Sequence, residues 1–370
     1  MAGNFHADLG TAPVSLSPVR VRLELPAKAA TRLSYGLLLL FLLLLYSQVA
    51  LLFPALEPLR PMLLVALAAL AVLVVELTLS GRAFALVGPE SHLLLVLLAG
   101  ACVSSLTAIW MRQAAEATVE LAKMTAIYFL MLNTIDSKKR LRGVFWCLAI
   151  GGLIPSFMTL RTYASGVLQD EGRAAWVGIF GNPNELAYGL VILIPLAISA
   201  ASAQRFAVRV LSWGMTAVYL AAIFVSYSRG GFLGLLVVLA LIGWRSRSLW
   251  FRLLMLVGLA AAFVYVSAYW TRSSDFSNLN QDLSVQQRIA TIHAGIEMFC
   301  DRPLLGVGPG CFVVAWPLYA PKDLYTRGWL VNHNTFFQVL SETGLAGTIP
   351  FVLLIGAALF HARRIARRTA

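Results

Sequence analysis

Apolar runs close to the length needed to cross a bilayer recur along this chain, and they constrain the fold more than any other feature. A helix needs about 20 consecutive apolar residues to span the hydrocarbon core. Lipid admits only helices and closed barrels, and runs this continuous lack the alternation of barrel strands. Composition points the same way: 59% of the 370 residues are hydrophobic and 12% charged, about half the charged share of a soluble domain. The expected fold class is an all-α polytopic membrane protein.

About ten transmembrane helices are predicted, near 33–56, 62–80, 93–111, 117–135, 143–162, 185–203, 210–227, 231–244, 253–270 and 335–360. The net charge of +12 resembles a nucleic-acid signal, but the charges fall in short clusters between apolar runs. These are Arg20, Arg22, Lys28 and Arg32; Lys138, Lys139, Arg140 and Arg142; Arg205 and Arg209; Arg245, Arg247 and Arg252; and Arg363, Arg364, Arg367 and Arg368. With the N-terminus inside, every cluster lies on one face, as the positive-inside rule requires. Both termini are then cytoplasmic, and nucleic acid is not an expected partner. Residues 1–32 read as a cytoplasmic segment without a cleavable signal peptide, and 33–370 as a single membrane domain.

Read as one helix, residues 210–244 would reach about 50 Å, well beyond a core of ~30 Å. Two antiparallel spans joined at SRGG resolve the excess. Gly230 and Gly231 then supply the turn, and Arg229 lies shallowly inside the membrane. Two outer segments remain, at 163–184 and about 271–334. The longer predicts an amphipathic helix: Ser284 and Gln287 have capping-box spacing, and Pro303 stops it. Val285, Ile289, Ile292, Ile296 and Phe299 form its apolar stripe, placed on the membrane surface or against the bundle.

Several polar residues in these segments carry chemistry. Arg229 at membrane depth implies an anionic partner, because burying its charge costs at least ~2.5–3.5 kcal/mol; the alternative is a snorkelling anchor. Its guanidinium matches phosphate oxygens in bidentate fashion. Arg288 reads equally as a ligand-binding or a solvated residue. His293 and Glu297 look like a surface pair. His333 precedes the last apolar run, where the positive helix end favours neutral imidazole, a competent proton acceptor; a capping role is the alternative. Asn334, Gln338 and Glu342 continue along one face below it. GVGPG at 306–310 is a Gly-Pro turn or an anion nest, and in GNPNELA Asn184 is expected to cap the sixth span. Cys300 and Cys311 share one loop and either pair or stay free, whereas Cys102 and Cys147 are expected as inert thiols within spans. Glu76 and Lys123, charges inside spans, are candidates to pair with each other.

Together GNPNELA, SYSRGG, RPLLGVGPGCF and HNTFFQVLSETGLAG, in that order, resemble the O-antigen ligase and polymerase family of bacterial membrane glycosyltransferases. The basic loop DSKKRLR fits as well. The likeness covers roughly residues 110–360, and the first spans match in hydropathy alone. The resemblance implies a metal-independent, cofactor-free C-type glycosyltransferase fold in the bacterial inner membrane, with its active site facing the periplasm. The donor would be a glycan on an undecaprenyl-pyrophosphate carrier, and the acceptor a sugar hydroxyl of lipid A-core or of a growing glycan. Carried over by motif, Arg229 and Arg288 bind the pyrophosphate and His333 is catalytic, with Asn184, Asn334, Gln338 and Glu342 in support. Ligases of the family generally have twelve spans, so ten implies a short member or missing C-terminal spans. Rival readings are a polymerase of the same family, a transporter of small bicarbonate-like anions and a non-catalytic scaffold. The transporter lacks matching broken helices and an ionisable chain at midplane.

Overall fold

The computed structural model describes residues 31–169, 172–202, 206–245, 249–250, 252–253, 256–258, 283–322 and 328–369. The N-terminal cluster Arg20, Arg22 and Lys28, most of the ninth predicted span, the residues 271–282, and Arg205 and Arg247 lie outside them, as does the side chain of Ser284.

The described residues are helical, with no β-strand among them. In chain order the helices are α1 (Arg32–Ser47), α2 (Pro61–Leu79), α3 (Gly88–Leu106), α4 (Met111–Thr134), α5 (Lys138–Gly151), α6 (Leu153–Ala164), α7 (Pro183–Ser202), α8 (Phe206–Val225), α9 (Arg229–Arg245), α10 (Leu283–Asp301), α11 (Phe312–Tyr319) and α12 (Thr335–Thr369). Among the described residues, five helical stretches are long and apolar enough to cross a membrane: Pro61–Leu79, Gly88–Leu106, Lys138–Ala164, Phe206–Val225 and Thr335–Arg367. Three shorter apolar helices, Arg32–Ser47, Pro183–Ser199 and Arg229–Trp244, stand beside them. Large apolar side chains such as Leu64, Leu67, Val74 and Leu241 are exposed, as they must be where lipid is the solvent.

Helix starts follow local chemistry. Ser137 caps α5 by accepting from Arg140 N, and Asn182 accepts from Asn184 N at the head of α7. Ser228 Oγ accepts from Gly231 N at the head of α9. Each satisfies an amide that the first helical turn leaves without a partner. The cap of α7 is thus Asn182, not Asn184, because Pro183 occupies the first helical position. The first predicted span is cut short: Gln48 takes a left-handed backbone (φ 51°), and two short 3₁₀ turns follow through Leu59. The third helix begins five residues early, at Gly88-Pro89.

Neighbouring helices alternate in direction. Contacts between α3 and α12 pair Ser104 with Glu342, Gly100 with Ala346 and Glu90 with His361, so the two run antiparallel. One end of the bundle therefore carries the segments 48–60, 107–110, 165–169, 172–182, 226–228, 303–322 and 328–334. The opposite end carries Arg82, Lys138, Lys139, Arg140, Arg142, Arg209, Arg363, Arg364 and Arg367. We call these the loop end and the basic end. Three apolar cores fill the bundle: α1, α2, α4 and α5 around Leu38, Leu73 and Leu130; α5 to α9 around Leu190, Ile194 and Tyr219; and α4, α10 and α11 around Met298, Phe312 and Trp316.

One expectation about charged residues is corrected, and one about an apolar stripe is narrowed. Glu76 does not pair with Lys123. Its carboxylate accepts from Leu33 N (2.9 Å) and Ser34 Oγ (2.5 Å), capping the start of α1, while Lys123 pairs with Glu120 (2.6 Å). Both acids answer the nearest uncompensated positive group, and for Glu76 that is a helix N-terminus. The apolar stripe of α10 is not its packing face against the bundle. Ile289 and Ile296 are exposed, and the helix packs through Ala290, Thr291, Ala294, Gly295 and Met298. Small residues allow close helix approach, which leaves the stripe to face the membrane surface, the other placement its periodicity allowed.

Candidate functional site

Two groups of polar side chains form at the loop end. The first stands at the heads of α7 and α9. Asn184 Oδ1 accepts from Ser228 Oγ (2.7 Å) and from Arg173 Nη2 (2.8 Å). Arg173 Nε also donates to the Ser226 carbonyl (3.2 Å). One carboxamide and one guanidinium thus bind the 165–182 loop to the α8–α9 turn. Tyr227 takes a left-handed backbone there (φ 47°), and Arg229 follows as the first residue of α9, half-buried. The turn lies hard against α7: a Cβ on Gly230 would overlap Tyr188 Oη, and one on Gly231 would overlap Ala187 Cβ. The backbone of Arg229 is therefore fixed at the head of α9 by close packing against α7.

The second group joins α10 to the start of α12. Asn334 caps α12, accepting from Phe336 N (3.0 Å) and Phe337 N (3.4 Å). Asn332 accepts from Asn334 N (3.0 Å) and donates to the Thr291 carbonyl of α10 (3.5 Å). These bonds hold His333 between two anchored asparagines. Its side chain reaches solvent, yet its pKa lies below the ordinary histidine value. Partial burial is the main cause, and the positive charge of Arg288 is the second. Arg288, exposed on α10, is thus close enough to act on the imidazole electrostatically.

Beneath His333, α12 is broken. Gly344 has φ 56° and ψ −152°, conformations no helix contains. The loop 303–312 crosses the break and satisfies the freed backbone from both sides. Val307 N and Gly308 N donate to the carbonyls of Ser341 and Glu342 (both 2.9 Å), while Leu345 N and Ala346 N donate to those of Pro303 (2.9 Å) and Leu304 (3.1 Å). Ser104 on α3 donates to the carbonyl of Leu305 (2.6 Å). Glu342 is buried, and its carboxylate accepts from Gly310 N (2.8 Å), Phe312 N (3.3 Å) and Gln338 Nε2 (3.3 Å). The amide of Gly310, the last residue of GVGPG, and that of Phe312 just beyond it thus donate to this internal carboxyl group rather than to an external anion. Glu342 and Gln338 are therefore turned into the protein, supporting the loop.

Of the residues singled out by sequence, Arg288, His333, Asn334, Gln338 and Glu342 come together around α10 and α12. Asn184 joins Arg229 at α7 and α9. Cys311 is buried with its thiol against the Trp110 carbonyl, and Cys300 is exposed, so the two are not bonded. Arg173 and Asn332 went unnoticed. Arg173 is an isolated arginine in a short loop, with no periodicity to mark it. Asn332 precedes the histidine in NHN, and a second asparagine flanking a candidate base is a signal that was available.

Residues 214–352 match a family model described as O-antigen ligase. The match contains Arg229, Arg288, His333 and the whole crossing at Gly344; it leaves out α1 to α7 with Arg173 and Asn184. No curated protein and no solved structure matches the chain.

Proposed function

We propose that the chain, whose residues 214–352 match a family model described as O-antigen ligase, is a member of that family and transfers a glycan from an undecaprenyl-pyrophosphate carrier to a sugar hydroxyl of lipid A-core. The reading places the basic end in the cytoplasm of a bacterial inner membrane and the loop end in the periplasm. The observation that supports it is that His333, held by Asn332 and Asn334 at the head of α12, and Arg288 on the neighbouring α10 both lie within the matched segment.

The chemistry needs three parts. A hydroxyl of the acceptor attacks the anomeric carbon of the donor sugar, and the bond from that carbon to the pyrophosphate oxygen breaks. His333, neutral because its pKa is lowered, takes the hydroxyl proton. Carrier pyrophosphate departs with the bonding electrons, and Arg229 and Arg288 neutralise the charge it gains. Pyrophosphate is a good leaving group, so two guanidiniums suffice where a metal acts elsewhere, and the proposed reaction is metal-independent. Asn184 and Arg173 hold the turn that carries Arg229. Asn332 and Asn334 anchor the backbone on either side of His333.

The test is a transfer assay with purified protein, undecaprenyl-linked glycan and candidate acceptors, with and without chelator. Glycan appearing on core lipid, insensitive to chelator and lost in His333→Ala, is the expected result. Chains that lengthen on the carrier identify a polymerase, which shares the same site. Uptake of small anions without any transfer refutes both.

A further inference from the structure

A cavity of about 610 Å³ opens between α1, α2 and α4, outside the segment that the family model matches. Its wall is apolar except for Arg60, Glu120 and Lys123. Along α2 it runs from Pro61 to Leu70, about 14 Å at 1.5 Å per residue. That is the depth of one leaflet of a hydrocarbon core ~30 Å thick.

On α4 the cavity continues a line of charges. Arg112, Glu116, Glu120 and Lys123 follow spacings of four, four and three, so they share one helix face. They form two ion pairs, Arg112–Glu116 (3.1 Å) and Lys123–Glu120 (2.6 Å), with side chains 82%, 60%, 46% and 64% exposed in that order. The opposite face, through Ala114 and Thr118, is buried, and Thr118 bonds Ser105 of α3 (2.8 Å). α4 is set among α1, α2 and α3, so its charged face stands level with helices whose surfaces are apolar. Charges at that level mark a functional site by default, because bare hydrocarbon is a costly neighbour for them.

We propose that this groove binds an acylated glycolipid, with the sugar headgroup along α4 and an acyl chain in the cavity. A polar line leading into a slot one leaflet deep is the complement of an amphiphile. The line sets two acids between two cations with balanced sign, which suits hydroxyl groups better than a bare anion. Arg60 at the rim supplies one further cation for a phosphate. The depth fits an acyl chain, whereas a carrier polyisoprenoid is far longer than one leaflet. Under the reaction above, the occupant is the lipid part of the acceptor, and that assignment rests on the proposed function.

The test measures binding rather than transfer. Purified full-length protein in detergent is titrated by native mass spectrometry with three probes: core-only lipopolysaccharide, phosphatidylglycerol and undecaprenyl phosphate. Ala66→Trp fills the cavity, and Glu120→Gln with Lys123→Met removes the charge pair while keeping shape. Core lipopolysaccharide is expected to bind the wild type at least tenfold tighter than phosphatidylglycerol. Both variants should lose at least tenfold for it and keep their affinity for undecaprenyl phosphate. Equal affinity for phosphatidylglycerol, unchanged binding in the charge-pair variant, or a matching loss for undecaprenyl phosphate overturns the proposal. If Ala66→Trp fails to elute as a monodisperse species, the charge-pair variant alone decides. Intact glycolipid binding without any transfer would reject the reaction and leave the groove standing.

Discussion

Gly344→Ala isolates the device that aims His333. The backbone at Gly344 lies near a region of conformational space used almost only by glycine, where another residue costs about 1–3 kcal/mol. A Cβ there would also stand 2.6 Å from Leu304 C and 2.7 Å from Leu305 N. These are backbone atoms, so no side-chain rotation relieves the contact. The crossing must open, and the bonds from Leu345 N and Ala346 N to Pro303 and Leu304 are the first to break, at about 0.5–1.5 kcal/mol each. The sum is a loss of roughly 2–6 kcal/mol, expressed locally. Denaturant titration in detergent reads the stability, and the transfer assay reads the consequence. Activity should fall further than donor binding, because the displaced segment carries the base and leaves Arg229 in place. A variant as stable and as active as wild type would show that the crossing neither strains nor positions anything, and the argument for a rigid His333 would fail.

Other substitutions test the individual groups. Arg229→Ala and Arg288→Ala should each weaken donor binding by about 1.5–3 kcal/mol, or roughly 10- to 150-fold, read by titration with undecaprenyl-pyrophosphate; lysine should restore only part, since a point charge lacks the fork. The base must be neutral, so transfer should rise with pH through the lowered pKa of His333. In Arg288→Ala that rising limb should move to higher pH, because removing a positive neighbour raises an imidazole pKa; an unmoved limb in a pH–rate profile would separate the two residues. Glu342→Gln cannot accept from both Gly310 N and Phe312 N through a carboxylate, so it should lose about 1–3 kcal/mol of stability in the same denaturant titration. Arg173→Ala frees the turn that carries Arg229, and it should reduce donor affinity while leaving the His333 pH limb unchanged.

Much of the architecture was legible before any coordinates, for a physical reason. A bilayer imposes a length and a polarity on each helix, and both are written locally, as in the α2 residues Pro61–Leu79. That a turn divides 210–244 likewise followed from length alone, because one helix would overrun the membrane, but it falls at residues 226–228, with the positive φ at Tyr227 and with Gly230 and Gly231 inside α9 rather than supplying the turn. Errors arose where local cues compete. Pro54 and Pro58 allowed 3₁₀ turns to replace the end of the first span, and Pro183 moved the cap of α7 from Asn184 to Asn182. In α10 the apolar stripe left two placements open, and only the structure showed that Ala290, Ala294 and Gly295 make the packing face, since closeness of approach matters more than hydrophobicity when lipid competes for the apolar side.

The sequence by itself determined a helical membrane protein, the clustering of its cations at one end, and the residue types able to bind pyrophosphate and accept a proton. Tertiary structure alone decided what those residues touch. Glu342 lies 32 positions from Gly310, and Arg173 lies 53 from Ser226. No periodicity links such pairs; their contacts exist only because helices far apart in sequence pack side by side and leave each buried polar atom in need of a partner.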